Sequence, residues 1–98
     1  VVLAPVASVC AFPHDQNPKI SERLLKVNGE NRPYNDLFFW AGLSCVSYLP
    51  STVLPTGLGN DGLPIGIQVI GAEMQDLKTI RFAQLIDEQL NGFVPPEK

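Results

Sequence analysis

Prolines at 50, 55 and 64 punctuate two β-rich runs, Thr52-Val53-Leu54 and Ile65 to Ile70, and nothing else in the sequence constrains the fold so tightly. Proline has no backbone N–H to give to a sheet ladder, so within sheets it is confined to strand starts, edges and bulges. The runs themselves are dominated by β-branched and apolar residues, and Gly57-Leu58-Gly59-Asn60-Asp61-Gly62 between them is built of turn formers. Two antiparallel strands joined by this turn are expected, with Pro50, Pro55 and Pro64 at the strand ends. The six turn residues also spell G-x-G-x-x-G. A dinucleotide-binding loop needs a helix N-terminus directly after it, where the dipole and free N–H groups meet the pyrophosphate. Here Leu63-Pro64-Ile65-Gly66-Ile67 follows and is strand-like, so the glycines read as a hairpin connection and no cofactor is implied.

The remaining elements read in order. Val1-Val2-Leu3-Ala4 is the kind of apolar run that fills a strand buried on both faces, and Pro5 stops it. An unpaired strand at a chain end leaves backbone donors and acceptors unmatched, so a chain opening this way is expected to be a truncated piece of a larger one. Phe12 to Pro18 mixes two prolines with polar turn residues, which gives an irregular surface loop. Leu24 to Val27, Asn28-Gly29 and Glu30 to Arg32 form a hairpin, since Asn-Gly tolerates the positive φ angles of a type I′ turn. Asn35 is placed as an N-cap, with Asp36 in the first turn, for a helix to about Val46; its aromatic residues fall on nearly all sides, the mark of a helix buried all round. Asp76 is placed as the cap of a last, amphipathic helix that covers the sheet with Phe82, Ala83, Ile86 and Leu90 and ends at Gly92.

Ninety-eight residues allow one domain at most. The chain is 45% hydrophobic and only 17% charged, against roughly 25% charged in ordinary soluble domains, so it reads as interior material with little free surface of its own. A net charge of -3 without basic runs excludes the electrostatic footprint of a nucleic-acid binder. No stretch approaches the ~20 apolar residues of a membrane span, and the first residues lack the basic flank of a signal peptide. Cys10 and Cys45 make neither a disulfide framework nor a zinc pattern. They read as two buried, inert thiols in a reducing, cytoplasmic setting.

Side chains that could carry chemistry are few. His14 beside Asp15 invites a triad with Ser44, Ser47 or Ser51, but no G-x-S-x-G elbow surrounds any serine, and a solvated loop histidine is the simpler reading. One histidine and two distant thiols do not supply the converging ligands of a metal site. Asp61 and Asp76 sit where a turn former and a helix cap are useful, and Phe38, Phe39 and Trp40 read as core.

Pro50-Ser51-Thr52-Val53-Leu54-Pro55-Thr56-Gly57 followed by Asp61-Gly62-Leu63-Pro64-Ile65-Gly66-Ile67-Gln68-Val69-Ile70-Gly71 resembles the last block of the amidase-signature enzymes. The order continues with a helix led by Asp76, and Val2-Leu3-Ala4-Pro5 resembles the family's late strand leading into the active-site region. Tyr34 to Tyr48 and the closing Gly92 to Pro96 are most similar to the branch around the fatty-acid amide hydrolases. The tRNA-dependent amidotransferase A subunit shares the architecture, but its N-x-x-G-x-P approach stands here as Cys45-Val46-Ser47-Tyr48-Leu49-Pro50, without the Asn and Gly. The resemblance implies an α/β fragment of the amidase-signature mixed β-sheet packed with helices, in which residues 1–98 form the C-terminal part of one amidase domain. It implies an amide C–N hydrolase whose lysine, bridging serine and nucleophilic serine lie outside this chain. Lys19, Lys26, Lys78 and Lys98 match none of that motif, and no catalytic residue carries over. Trp40, Ser44 and Cys45 are the residues expected to face substrate, with Phe12 and His14 at the entrance. The implied partners are the remainder of the domain or a second copy, and a small-molecule amide. A non-catalytic interaction module and a self-sufficient hydrolase using His14 are the rival expectations.

Overall fold

The computed structural model describes residues 1–90 and 92–96. Among them the chain forms β1 (Val2–Pro5), β2 (Leu24–Val27), β3 (Glu30–Pro33), α1 (Phe38–Cys45), β4 (Ser51–Leu58), β5 (Pro64–Ile70) and α2 (Asp76–Gln89), with 3₁₀ turns at Ile20–Glu22 and Tyr34–Leu37.

β4 and β5 pair antiparallel, with Leu54 opposite Ile67 and Thr52 opposite Val69. The turn is tighter than the glycine spacing predicts, because β4 runs on to Leu58. Gly59 N–H donates to the Leu63 carbonyl at 2.8 Å, Gly62 N–H to the Gly59 carbonyl at 3.0 Å, and the Asp61 carboxylate accepts Leu63 N–H at 3.1 Å. The G-x-G-x-x-G stretch is thus a hairpin connection leading into a strand. Pro50 precedes β4 and Pro64 begins β5, but Pro55 lies inside β4, not at its end. Two features accommodate it: β4 is an edge of the sheet order β1-β5-β4, and the register slips between Pro55 and Gly57.

β1 occupies the other edge, antiparallel to β5, with Val2 opposite Ile70 and Pro5 opposite Ile67. The expectation of a strand buried on both faces is corrected: only Ala4 is buried, while Val2 and Leu3 are 59% and 52% exposed. β2 and β3 form a separate hairpin across Asn28 (φ 50°) and Gly29 (φ 84°), as the Asn-Gly pair requires. The architecture is therefore a small α/β arrangement of two antiparallel sheets, and the mixed sheet expected from the resemblance is not formed among the described residues.

Strand alternation places Thr52, Leu54, Ile67 and Val69 on one face, and α2 covers it. Leu54, Val69 and Ala83 form the buried cluster, with Ile67 and Ile86 packed against it. The packing stripe of α2 runs through Thr79, Ala83 and Ile86, spaced as one helical face, whereas Phe82 and Leu90 stand at its exposed margin. The helix ends at Gln89, before Gly92. Gln75, not Asp76, occupies its N-cap, without a side-chain bond; Asp76 is the first helical residue, where its charge still complements the dipole.

α1 departs further from expectation. Asn35 lies within the 3₁₀ turn and caps nothing, the N-cap is Leu37, and Asp36 pairs with Arg32 at 2.9 Å. The helix expected to be buried all round buries only Ser44, with Phe38 and Phe39 each 62% exposed. Its composition is that of a core helix, but the rest of this chain offers one contact face, not an envelope. The same holds for the molecule: 7630 Å² of surface is accessible, against about 5,500 Å² for a compact monomer of 10.7 kDa. The radius of gyration is 15.2 Å, where about 13 Å is usual.

Candidate functional site

The end of β1, the β2–β3 hairpin and the first turn of α1 enclose an open groove of about 500 Å³ lined by Pro5, Val27, Arg32, Asp36, Phe39 and Trp40. Each arrives for a local reason. Pro5 is the last residue of β1, after which the chain bends; Val27 ends the strand before the Asn-Gly turn; the 3₁₀ turn after Pro33 brings the Asp36 carboxylate back to Arg32 Nε at 2.9 Å. Phe39 and Trp40 stack edge to face, centroids 5.0 Å apart. The groove is thus apolar along most of its wall and ionic at one edge. The Ser8 hydroxyl donates to the Asp36 carbonyl at 3.3 Å and lines both this groove and a second one, of about 600 Å³, that includes Cys10, Phe12, Pro13, Leu24 and Lys26.

The five residues expected at a substrate site are divided by the fold. Trp40 lines the first groove and is half-buried. Ser44, one turn further along α1, is buried and donates to the Ala41 carbonyl at 3.3 Å. Cys45 is exposed and Cys10 half-buried, which corrects the reading of two buried thiols; they are not bonded to each other. Phe12 lines the second groove and packs edge-on against Tyr34, whose ring also carries the Arg23 guanidinium at 5.6 Å. His14 is exposed and makes no side-chain hydrogen bond among the described residues. Its neighbour Asp15 accepts the Asn17 N–H at 2.9 Å, a local turn bond. Ser51, the third serine considered for a triad, donates to Gln68. The structure therefore brings no serine to His14 among the described residues. Lys98 lies outside them.

Sequence reasoning overlooked a polar side chain buried beneath the groove. Gln68, only 4% exposed, sits on the face of β5 opposite α2 and donates through Nε2 to the carbonyls of Pro5 and Trp40, both at 2.9 Å. Its Oε1 accepts the Ser51 hydroxyl at 3.0 Å. The signal was legible: an amide in the middle of Ile65 to Ile70 is costly to bury without partners, so partners had to be sought.

Elsewhere the electrostatics are local. Lys19, at 2.9 Å, and then the Asn17 amide hold the exposed Glu22 carboxyl below the usual glutamate range.

Comparison with known proteins gives the class. The chain is homologous to a segment of the amidase-signature enzymes. Among the individual relatives, it is 39% identical over 67 residues to human fatty-acid amide hydrolase 2, covering 68% of this chain and 12% of that protein. It is 43% identical over 53 residues to the chloroplastic/mitochondrial glutamyl-tRNA(Gln) amidotransferase A subunit of Arabidopsis thaliana, covering 49% of this chain and 10% of that protein. The glutamyl-tRNA(Gln) amidotransferase A subunit of Orientia tsutsugamushi is 30% identical over 95 residues, 96% of this chain and 17% of that protein. The chain thus corresponds to a small part of the length of the relatives it matches. No protein-family model matches it. No helix among the described residues is long and apolar enough to cross a membrane.

Proposed function

We propose that this chain is the C-terminal scaffold and substrate-facing part of an amide C–N hydrolase, inactive alone and completed by the remainder of an amidase domain. The observation that carries this reading is the homology to one segment of an amide hydrolase. The accessible surface, well above that of a compact monomer of this mass, supports it, because apolar faces such as those of α1 and β1 call for a covering body. In the complete enzyme the lysine and paired serines of the remainder would form and hydrolyse the acyl-enzyme. Trp40 would wall the substrate groove, with Ser44 and Cys45 behind it and Phe12 and His14 towards the entrance. The two grooves lie side by side, with Ser8 in the lining of both.

The 95-residue match to an amidotransferase A subunit favours a second reading, in which the remainder is a protein of that kind. One experiment separates them. The matching segment of human fatty-acid amide hydrolase 2, and separately that of the Orientia protein, is replaced by this chain. Fatty-amide hydrolysis by the first chimera is the expected result. Activity of the second alone transfers the proposal to the amidotransferase, and two folded but inactive chimeras overturn both. The isolated chain is expected to resist labelling by a serine-reactive fluorophosphonate.

A further inference from the structure

We infer that Gln68 is a positioning residue that sets the width of the groove, by clamping its two walls, Pro5 of β1 and Trp40 of α1, to one amide group. A carboxamide has two N–H donors and an acceptor oxygen. Gln68 commits both donors, one to each wall, at equal distances of 2.9 Å. Covalent geometry fixes the angle between those two N–H bonds, so the separation of the Pro5 and Trp40 carbonyls is held by a rigid fork. Ser51 agrees with the two carbonyls on which way round the amide sits: its hydroxyl donates to Oε1 at 3.0 Å. With the amide reversed, an oxygen would face two carbonyl oxygens and the Ser51 hydroxyl would meet an N–H group.

Backbone pairing does not do this work. β1 is tied to β5 by its ladder, and α1 follows from the 3₁₀ turn, but among the described residues no backbone bond joins β1 to α1. Burial strengthens the clamp from the side of the amide, because Gln68, only 4% exposed, has little access to water as an alternative partner. Both clamped residues line the groove, so loss of the fork lets Trp40 drift from Pro5 while leaving the sheet paired. The consequence for an amide substrate rests on the function proposed above; the clamp itself does not.

Trp40 is the sole tryptophan, and its fluorescence reads the clamp directly in the 98-residue chain. Gln68→Met keeps the length and removes all three bonds; Gln68→Glu keeps the shape and leaves at most one donor for the two carbonyls. Each is expected to red-shift Trp40 emission and raise its quenching by acrylamide, with the far-UV spectrum unchanged. Thr79→Val, on the opposite face of the sheet, is the control and is expected to leave Trp40 unmoved. Should either Gln68 variant fail to fold, Gln68→Asn decides, since it keeps the amide but draws it back by one methylene from the two carbonyls, and an unmoved Trp40 in that variant overturns the clamp. Unchanged emission and quenching in the folded variants overturn the clamp, as does an equal change in Thr79→Val. An inactive chimera with a Trp40 shift sinks the proposed function and leaves the clamp standing; an active chimera without the shift does the reverse.

Discussion

Thr79 has one hydroxyl proton and two neighbours within hydrogen-bond reach. It donates to the Asp76 carbonyl at 2.8 Å, so the Thr52 hydroxyl, 2.9 Å away, must be the donor in their contact. Thr79 is 1% exposed, and Thr79→Val leaves that buried network unpaired at no change in shape. A loss of about 1–2 kcal/mol is expected, read from the urea midpoint. Glu22 gives a prediction of the opposite kind, at the surface. Lys19 and then Asn17 lower its carboxyl in the folded chain, so its stabilising contribution is present above the unfolded-state range and is lost as pH falls through the folded value. An NMR titration of Glu22 is expected to shift its midpoint upward in Lys19→Ala; an unmoved midpoint removes the assignment. At this scale the sequence was read well for turn residues and poorly for caps. Asp61 and Asn28 act within three residues of themselves, whereas Asn35 and Asp76 depended on where each helix starts, which neighbouring turns decided.

Elements meet most closely where β5 hands over to α2. A Cβ built on Gly71 would stand 2.5 Å from Thr79 Cγ2, and the same glycine's N–H donates to the Pro50 carbonyl at 3.0 Å. Gly71→Ala must therefore turn the Thr79 side chain out of its hydrogen bonds, push α2 off the sheet or break the bond to Pro50. A loss of about 1–3 kcal/mol is expected, and calorimetry should show a lower thermal midpoint. No local signal marks the partner of this glycine, because Thr79 belongs to the next element, in the first turn of α2. Pro55 shows the same limit: proline signals an edge or a bulge, and only the pairing partner tells that both occur here, within one strand. Amphipathicity located the covering helix, but the stripe runs through Thr79 and Ala83 because small side chains let α2 sit close to the sheet, and this leaves Phe82 at the margin.

For the whole molecule, surface is the governing quantity. Val2, Leu3, Phe38, Phe39 and Val46 are all more than half exposed, a share of apolar surface that favours association in water. Sedimentation velocity is expected to show mass rising with concentration, and Leu3→Lys to reduce it; a compact monomer throughout contradicts this. Local signals alone determined the hairpins and the order of strands and helices, because alternation, turn residues and prolines act over a few neighbouring positions; the blocks Pro50–Gly57 and Asp61–Gly71 carried the amidase-signature resemblance. Only the tertiary structure decided that β1 is an edge, that α1 stands largely uncovered, and that Gln68 joins Pro5 to Trp40. Burial and hydrogen-bond partnership between residues 28 and 63 positions apart depend on what folds back against what, and periodicity along the chain does not carry that information.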